Sequence, residues 1–362
     1  MKSAYGLNDA EAVKLWSSKL GREVLKKAWV GQFIGTRSDS LIQVKDDLKK
    51  GPGDRIRSIL RVQLAGAGIQ GDSTLEGNEE ALVTYTDDIY IDQLRHAVRS
   101  GGRMTEQRIP FSIREEARMG LEDWWTNRLD TWFFNQISGN TAVTDTRYTG
   151  NQAAIAPDTA HHIFANSKGA ESSLSVSDTF TLAYVDQCVL KARTLPTPIR
   201  ECNTGSKQAK YVMFITPEQH YDLRRTTATN DYYDIQQAAL QGGKISDNPI
   251  FTGAIGLYNG TILHEAFRLP VASLSNNSNT DTNARGRAVF CGAQAAVMAY
   301  GRDGGTMNRM DWVEELFDFK NQLGVASGII GGLKKSRYNN KDFGTIVVST
   351  AHSQAATDAA GR

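Results

Sequence analysis

Cysteine is scarce in this 362-residue chain: Cys188, Cys202 and Cys291 are the only three. They are odd in number, too widely spaced for a disulfide framework and without a C-x-x-C pair, so a reducing compartment is expected. No run of about 18 uncharged apolar residues occurs, and residues 1–19 lack the apolar stretch of a secretory signal. The sequence therefore predicts no membrane association and synthesis in a cytoplasm. A charge excess is missing as well: 41 Lys+Arg against 40 Asp+Glu leave a formal +1, far from the basic surplus that draws nucleic acid out of solution.

Catalytic signatures are equally thin. There is no G-x-x-x-x-G-K-[ST], G-x-S-x-G or H-E-x-x-H, and Gly331 to Ser336 is only an echo of a phosphate loop. His161-His162 sits in a polar segment with no third ligand at usable spacing. Glu314, Glu315 and Asp318 beside Trp312 and Phe317 read as a solvated face. The sequence predicts no catalytic residue, no cofactor and no metal site.

What is present is a globular composition, 40% hydrophobic and 22% charged, which excludes wholesale disorder and suggests about two domains of mixed α+β class. From Asp9, apolar residues at 13, 16, 20, 24 and 28 mark one helix face. The stripe Val13, Trp16, Leu20 is narrow and detached by breakers, which suggests that it lies on a partner's surface; an ordinary solvated basic helix is the equal alternative. After Gly51-Pro52-Gly53, the segments 55–64 and 82–94 predict a long hairpin with an acidic middle (Asp72, Glu76, Glu79, Glu80) and arginine-rich flanks. Ser112 and Glu115 form a Ser-x-x-Glu capping box that opens a helix ended by Ser138-Gly139. Its aromatic face, Trp124, Trp125, Trp132 and Phe133, predicts a buried domain spine. Residues 139–177 read as an extended loop. Then come a helix near 179–195, a buried strand 211–215 running into a Thr216 to Gln219 capping box, and strands near 255–267, 288–300, 312–319 and 343–350.

One motif competes with this picture. Gly66-Ala67-Gly68-Ile69-Gln70-Gly71 matches the G-x-G-x-x-G of dinucleotide-binding folds, with Asp87 and Asp88 about where a ribose-binding acid would stand. Residues 72–81 offer little to pack a helix against a sheet, so a flexible hairpin tip is the preferred reading, and an NAD(P)-dependent oxidoreductase using Gly66, Gly68 and Gly71 is the alternative.

The segments Ile42 to Leu48, Gly66 to Leu82, Ile91 to Arg99 and Arg114 to Thr141 together resemble the major capsid proteins of short-tailed bacteriophages related to phage N-four, most densely over residues 20–155. The resemblance implies an α+β Hong Kong 97-like capsid fold: an N-terminal arm (1–50), an E-loop hairpin (51–110), a peripheral domain with a spine helix (111–175), an axial domain (176–310), and a return to the peripheral domain with a C-terminal tail (311–362). It implies a virion shell protein that self-assembles as hexamers and pentamers into an icosahedral head around double-stranded DNA, which it contacts without specificity. Near-neutral charge agrees, since a strongly basic lining would bind packaged DNA too tightly. Separate scaffolding and portal proteins, and decoration proteins, are the further partners implied; no long helical prodomain precedes the arm. No position matches the lysine and asparagine through which some such shells crosslink. The expected contacts between subunits are the acidic tip (Asp72, Glu76, Glu79, Glu80) docking on a basic surface such as Arg114 and Arg118, and the N-terminal stripe. A third possibility, a soluble chaperone or adaptor gripping one partner, would stop at small oligomers.

Overall fold

Between Pro110 and Gly139 the sequence dictates one long helix, and the chain is arranged around it. The computed structural model describes residues 10–45, 53–61, 66–80, 84–110, 112–175, 177–203, 210–225, 256–269, 285–301 and 310–352. In chain order, α1 (Ala10–Lys27) leads to β1 (Ile34–Gly35), β2 (Ile42–Lys45), β3 (Arg55–Arg61), β4 (Thr84–Tyr90) and β5 (Asp92–Arg99), then to α2 (Arg103–Arg108), α3 (Ile113–Ser138) and α4 (Thr146–Thr149). Next are β6 (His162–Phe164), α5 (Leu182–Thr194), β7 (Tyr211–Ile215), α6 (Pro217–Arg225), β8 (Gly256–Tyr258), β9 (Thr261–Glu265), β10 (Arg285–Cys291) and β11 (Ala296–Tyr300). The chain continues through β12 (Asp311–Phe317), β13 (Gln322–Lys335), β14 (Arg337–Tyr338), β15 (Lys341–Asp342) and β16 (Thr345–Ala351).

Helix α3 buries Ala117, Leu121, Trp125, Leu129, Trp132, Phe133 and Ile137, residues three or four apart that line one face. It stops at Gly139, whose φ of 65° is left-handed and whose Cβ, had it one, would stand 2.6 Å from the Ile155 carbonyl oxygen. Only glycine fits there. At the other end the expected capping box is absent: Ser112 occupies the cap but its side chain makes no capping hydrogen bond. Glu115 and Glu116 in the first turn still favour the positive end of the helix. The second box does form, since Gln219 Oε1 accepts from Thr216 N at 2.9 Å and Thr216 Oγ1 accepts from Gln219 N at 3.2 Å.

One sheet runs β1-β2-β11-β13-β12, with β5 on the opposite edge of β13. Strand β13 is thus shared: β12 and β11 pair with its two ends along one edge, and β5 pairs with Gly324 to Gly331 along the other. The second sheet has the order β6-β16-β10-β7-β9-β8, in which β7, β10 and β16 are buried throughout. Its β8–β9 hairpin turns on Asn259-Gly260, both at positive φ, as a two-residue loop requires. Helices α1 and α3 share one core with the first sheet and with one face of β7 and β10. The other face of β7, β10 and β16 packs on α5 and α6.

Three expectations change. Residues 139–177 are not loop throughout, because β6 adds in parallel to β16. Strand β13, 14 residues long, replaces what sequence left blank, and the phosphate-loop echo at Gly331 to Ser336 falls on its end. The hairpin's return strand leaves β3 at Tyr90, and β5 joins β13 instead; the paired hairpin is therefore shorter than 51–110. The polar run before Arg285 and the small-residue tail after His352 lie outside the described residues.

Candidate assembly surfaces

The β3–β4 hairpin is antiparallel, from Arg55 opposite Tyr90 to Arg61 opposite Thr84. Alternation decides its faces: Ile56, Ser58 and Leu60 are buried, whereas Arg55, Arg57 and Ile59 are exposed. Its base is anchored by Ile56, Ile89 and Ile91, which cluster with Val297 and Ala299 of β11. Asp88 accepts ion pairs from both Arg55 and Arg57, which hold its carboxyl below the ordinary range. Lys334 of β13 holds the neighbouring Asp87. The Asp87-Asp88 pair is thereby committed to fixing the hairpin, not to a ribose.

Every residue from 66 to 80 is exposed. The tip closes on itself: Glu80 Oε2 accepts from Gly66 N and Glu79 Oε2 from Gly77 N, each at 2.8 Å. Gly68, Gly71 and Gly77 take φ of 74°, 70° and 89°. The described residues 72–80 form no helix, so the G-x-G-x-x-G segment belongs to the tip of an antiparallel hairpin rather than to a phosphate cradle. Asp72 and Glu76 are exposed with no partner among the described residues, and Leu75 beside them is 60% exposed.

The N-terminal stripe behaves differently from the expectation of a contact between subunits. Leu20 and Val24 are fully buried in the core shared with α3, and Trp16 stacks on Trp312 with ring centroids 5.9 Å apart. Glu23 pairs with Arg118, and Lys27 reaches Glu122 at 2.7 Å. Helix α1 is a structural part of its own subunit, and Leu20 has no surface left for a neighbour. The side chain of Val13 lies outside the described residues. The spine aromatics Trp125, Trp132 and Phe133 are buried, whereas Trp124 is half-buried, stacked on His96 at 4.4 Å with Arg128 over its ring at 4.8 Å.

Arg114 and Arg118 are likewise spent internally. Arg114 pairs with Glu314, a carboxylate that also accepts from Trp312 Nε1 at 2.9 Å, and Arg118 pairs with Glu23 and Glu122. Strand β12 also splits the expected carboxylate face, turning Glu314 inward and Glu315 outward. Strand β5 carries an exposed cationic surface. Leu94 and Val98 pack against the core and His96 lies on Trp124, so Arg95, Ala97 and Arg99 point to the opposite face. They stand beside Gly328, Ala326 and Gly324 of β13, with the Phe317 ring over Gly324 and the Arg99 guanidinium 4.3 Å from that ring. Beyond Arg99, Arg103 and Arg108 on α2 are exposed as well. The arginines at 95 and 99 were visible in sequence; their shared face was not.

The paired histidines and the three cysteines are occupied or shut away. His161 Nδ1 lies 2.6 Å from Asp158, and His162 Nε2 2.7 Å from Ser349 Oγ. The three cysteines are free and buried, and burial pushes the Cys202 thiol up to about 12 and those of Cys188 and Cys291 well above the ordinary value.

A spine helix laid across one sheet, a second sheet module and a long hairpin with an exposed tip are the arrangement of the Hong Kong 97-type capsid class. The sequence pattern of the phage capsid protein family matches residues 4–354, and the chain belongs to that family. It is 28% identical over 377 residues, covering 94% of this chain and 95% of the relative, to the major capsid protein of Pseudomonas phage KPP25. Among solved structures it is similar to the capsid of Ralstonia phage GP4, with 33% identity, 98% and 99% of the two chains covered, and a TM-score of 0.77. The cyanophage Pam1 capsid shares the fold at 20% identity, 97% and 100% coverage, and a TM-score of 0.68. The chain is a structural shell component, and the oxidoreductase alternative falls.

Proposed function

We propose that this chain is the major subunit of an icosahedral phage head, assembling with itself as hexamers and pentamers around double-stranded DNA. Within it, residues 1–50 serve as the arm, the hairpin rooted at Arg55 and Tyr90 as the E-loop, α3 as the spine of the peripheral domain, and the second sheet with α5 and α6 as the axial domain. The observation that carries this is the acidic tip at 66–80, exposed along its whole length, with Asp72 and Glu76 unpartnered among the described residues. An isolated two-stranded projection is marginal in water, so it needs a neighbour. A second copy supplies one, because Arg95 and Arg99 expose charge of the opposite sign along β5.

DNA contact is non-specific in this proposal: a net charge of +1 supports enclosure by a shell rather than capture from solution. Separate portal and scaffolding proteins complete the head. Electron microscopy of the purified chain tests the proposal. Rings of five or six subunits, or closed megadalton particles, are expected; monomers or small closed oligomers under all assembly conditions would overturn it.

A further inference from the structure

Strand β6 ends the second sheet, so one of its two edges has no strand beside it among the described residues. An edge of this kind offers unpaired N–H and C=O groups to any extended chain. On that side His162 turns its carbonyl away from β16, and Lys191 Nζ of α5 donates to it at 3.3 Å. A lysine rather than a strand holds the edge. Between β6 and α5 lies an open groove of about 400 Å³. Its far wall is the row Gln187, Leu190, Lys191 and Thr194, residues three or four apart on one helix face. Leu190 is 65% exposed and shares the groove with Ile163 and Phe164.

The charge of the groove is of one sign. Lys168 and Lys191 both line it, and no acidic side chain among the described residues does. Neither lysine forms an ion pair among the described residues, and burial holds the Lys191 ammonium below the ordinary lysine value. A carboxylate is what this site lacks. We propose that the groove takes an extended acidic segment of another protein, added as a strand on β6, with its backbone bonded to His162 and Phe164 and its carboxylates paired with Lys168 and Lys191. In this mode main-chain bonds supply affinity and alternate side chains supply specificity, here by packing apolar groups on Leu190 and Ile163. The chain's own acidic segment does not suit the role: residues 66–80 form no strand, and Glu79 and Glu80 fold them back on Gly77 and Gly66. The inference does not depend on self-assembly, since a single subunit carries the whole groove.

The test uses the whole unassembled chain and a fluorescein-labelled peptide alternating valine and glutamate, followed by fluorescence anisotropy. Micromolar binding is expected, and hydrogen exchange at residues 162–164 should slow when the peptide is present. The same peptide with alternate backbone nitrogens methylated, which cannot complete a strand, should lose binding, and a peptide alternating valine and lysine should not bind. Lys168→Glu joined with Leu190→Ser changes only exposed positions. It should weaken affinity about tenfold or more while leaving circular dichroism unchanged. Lys191→Met, which keeps the apolar stem, should weaken binding by itself. Equal affinity for the methylated or the lysine peptide, unchanged affinity in both variants, or no binding of the glutamate peptide to the wild-type chain would overturn the proposal. A synthetic peptide of residues 66–80 that displaces the probe would give the groove to the tip of another copy and overturn the foreign partner. Every readout is made on subunits that have not assembled, so failure here leaves shell formation standing.

Discussion

Arg287 grips Glu171 with two nitrogens, Nε to Oε1 at 2.6 Å and Nη2 to Oε2 at 3.0 Å. Its remaining nitrogen, Nη1, donates to the carbonyls of Ser138 and Gly139 at 2.8 Å each. One guanidinium on β10 therefore closes the C-terminus of the spine helix, where unpaired carbonyls and the negative dipole end both favour a cation. It also ties that helix to the second sheet. Both partners are about 90% shielded, so neither can be left alone cheaply. Arg287→Met should destabilise the subunit by about 3–5 kcal/mol in denaturant titrations. Joining it with Glu171→Met should recover part of that loss. Additive losses in the double variant would show that the pair is not coupled.

Spine aromatics should separate by burial. Trp132 is 3% exposed and donates its Nε1 to the Arg147 carbonyl at 2.7 Å, so Trp132→Ala should cost ~3–5 kcal/mol. Trp124 is half-buried on His96 and should cost clearly less. Equal melting-point losses for the two would remove the ranking.

Removal of α1 should unfold or severely weaken the subunit, the reverse of what an arm lying only on a neighbour would do. Leu20 and Val24 are 0% exposed, and Leu20→Ala alone should cost ~2–5 kcal/mol. A deletion of residues 1–27 that melted like the full chain would return the helix to an assembly role.

How much of this was legible in sequence depended on whether the signal was local. Helix α3 was readable because its large residues repeat at helical spacing and Gly139 ends it. Strand β13 was not, because Gly324, Gly328, Gly331 and Gly332 erase the strand pattern. Those glycines answer distant neighbours: a Cβ at Gly332 would lie 2.2 Å from the Tyr90 carbonyl oxygen, so the hairpin root demands the gap. Periodicity in α1 revealed an apolar face but could not say whose surface covers it. Arg114 looked free because its partner, Glu314, is 200 residues away.

Acid should begin to weaken the fold from about pH 6.5, above the range in which ordinary carboxylates titrate. Burial holds the His264 imidazole at about 4, and burial together with Arg287 holds that of His162 at about 4, both down from 6.5. Between those values the unfolded chain binds protons that the folded chain refuses. The histidine contribution is therefore complete above pH 6.5 and is lost as pH falls towards 4. Each ring should add about 1.4 kcal/mol per pH unit to the slope of stability in that window. His264→Gln should flatten the slope measured by urea titration of unassembled subunits; a flat wild-type profile from pH 7 to about 4.5 would mean the rings protonate in place.

The hairpin tip calls for a charge swap rather than a simple deletion. Glu80 and Glu79 fasten the tip through Gly66 N and Gly77 N, so replacing them would unmake the loop and its docking together. Asp72 and Glu76 have no such duty, which makes Asp72→Lys with Glu76→Lys the clean reversal. One exposed ion pair is worth only ~0–1 kcal/mol, but in the proposed shell the contact would recur at every subunit boundary, and small terms multiply around a closed assembly. The double variant should stay folded by circular dichroism and assemble poorly, most visibly at low salt, where screening is weakest. On the receiving face, Arg95→Glu with Arg99→Glu should fail in the same way. Combining all four changes in one chain should restore particles, because the reversed tip then meets a reversed β5 face. If the fourfold variant assembles no better than either double variant, the tip docks somewhere other than β5.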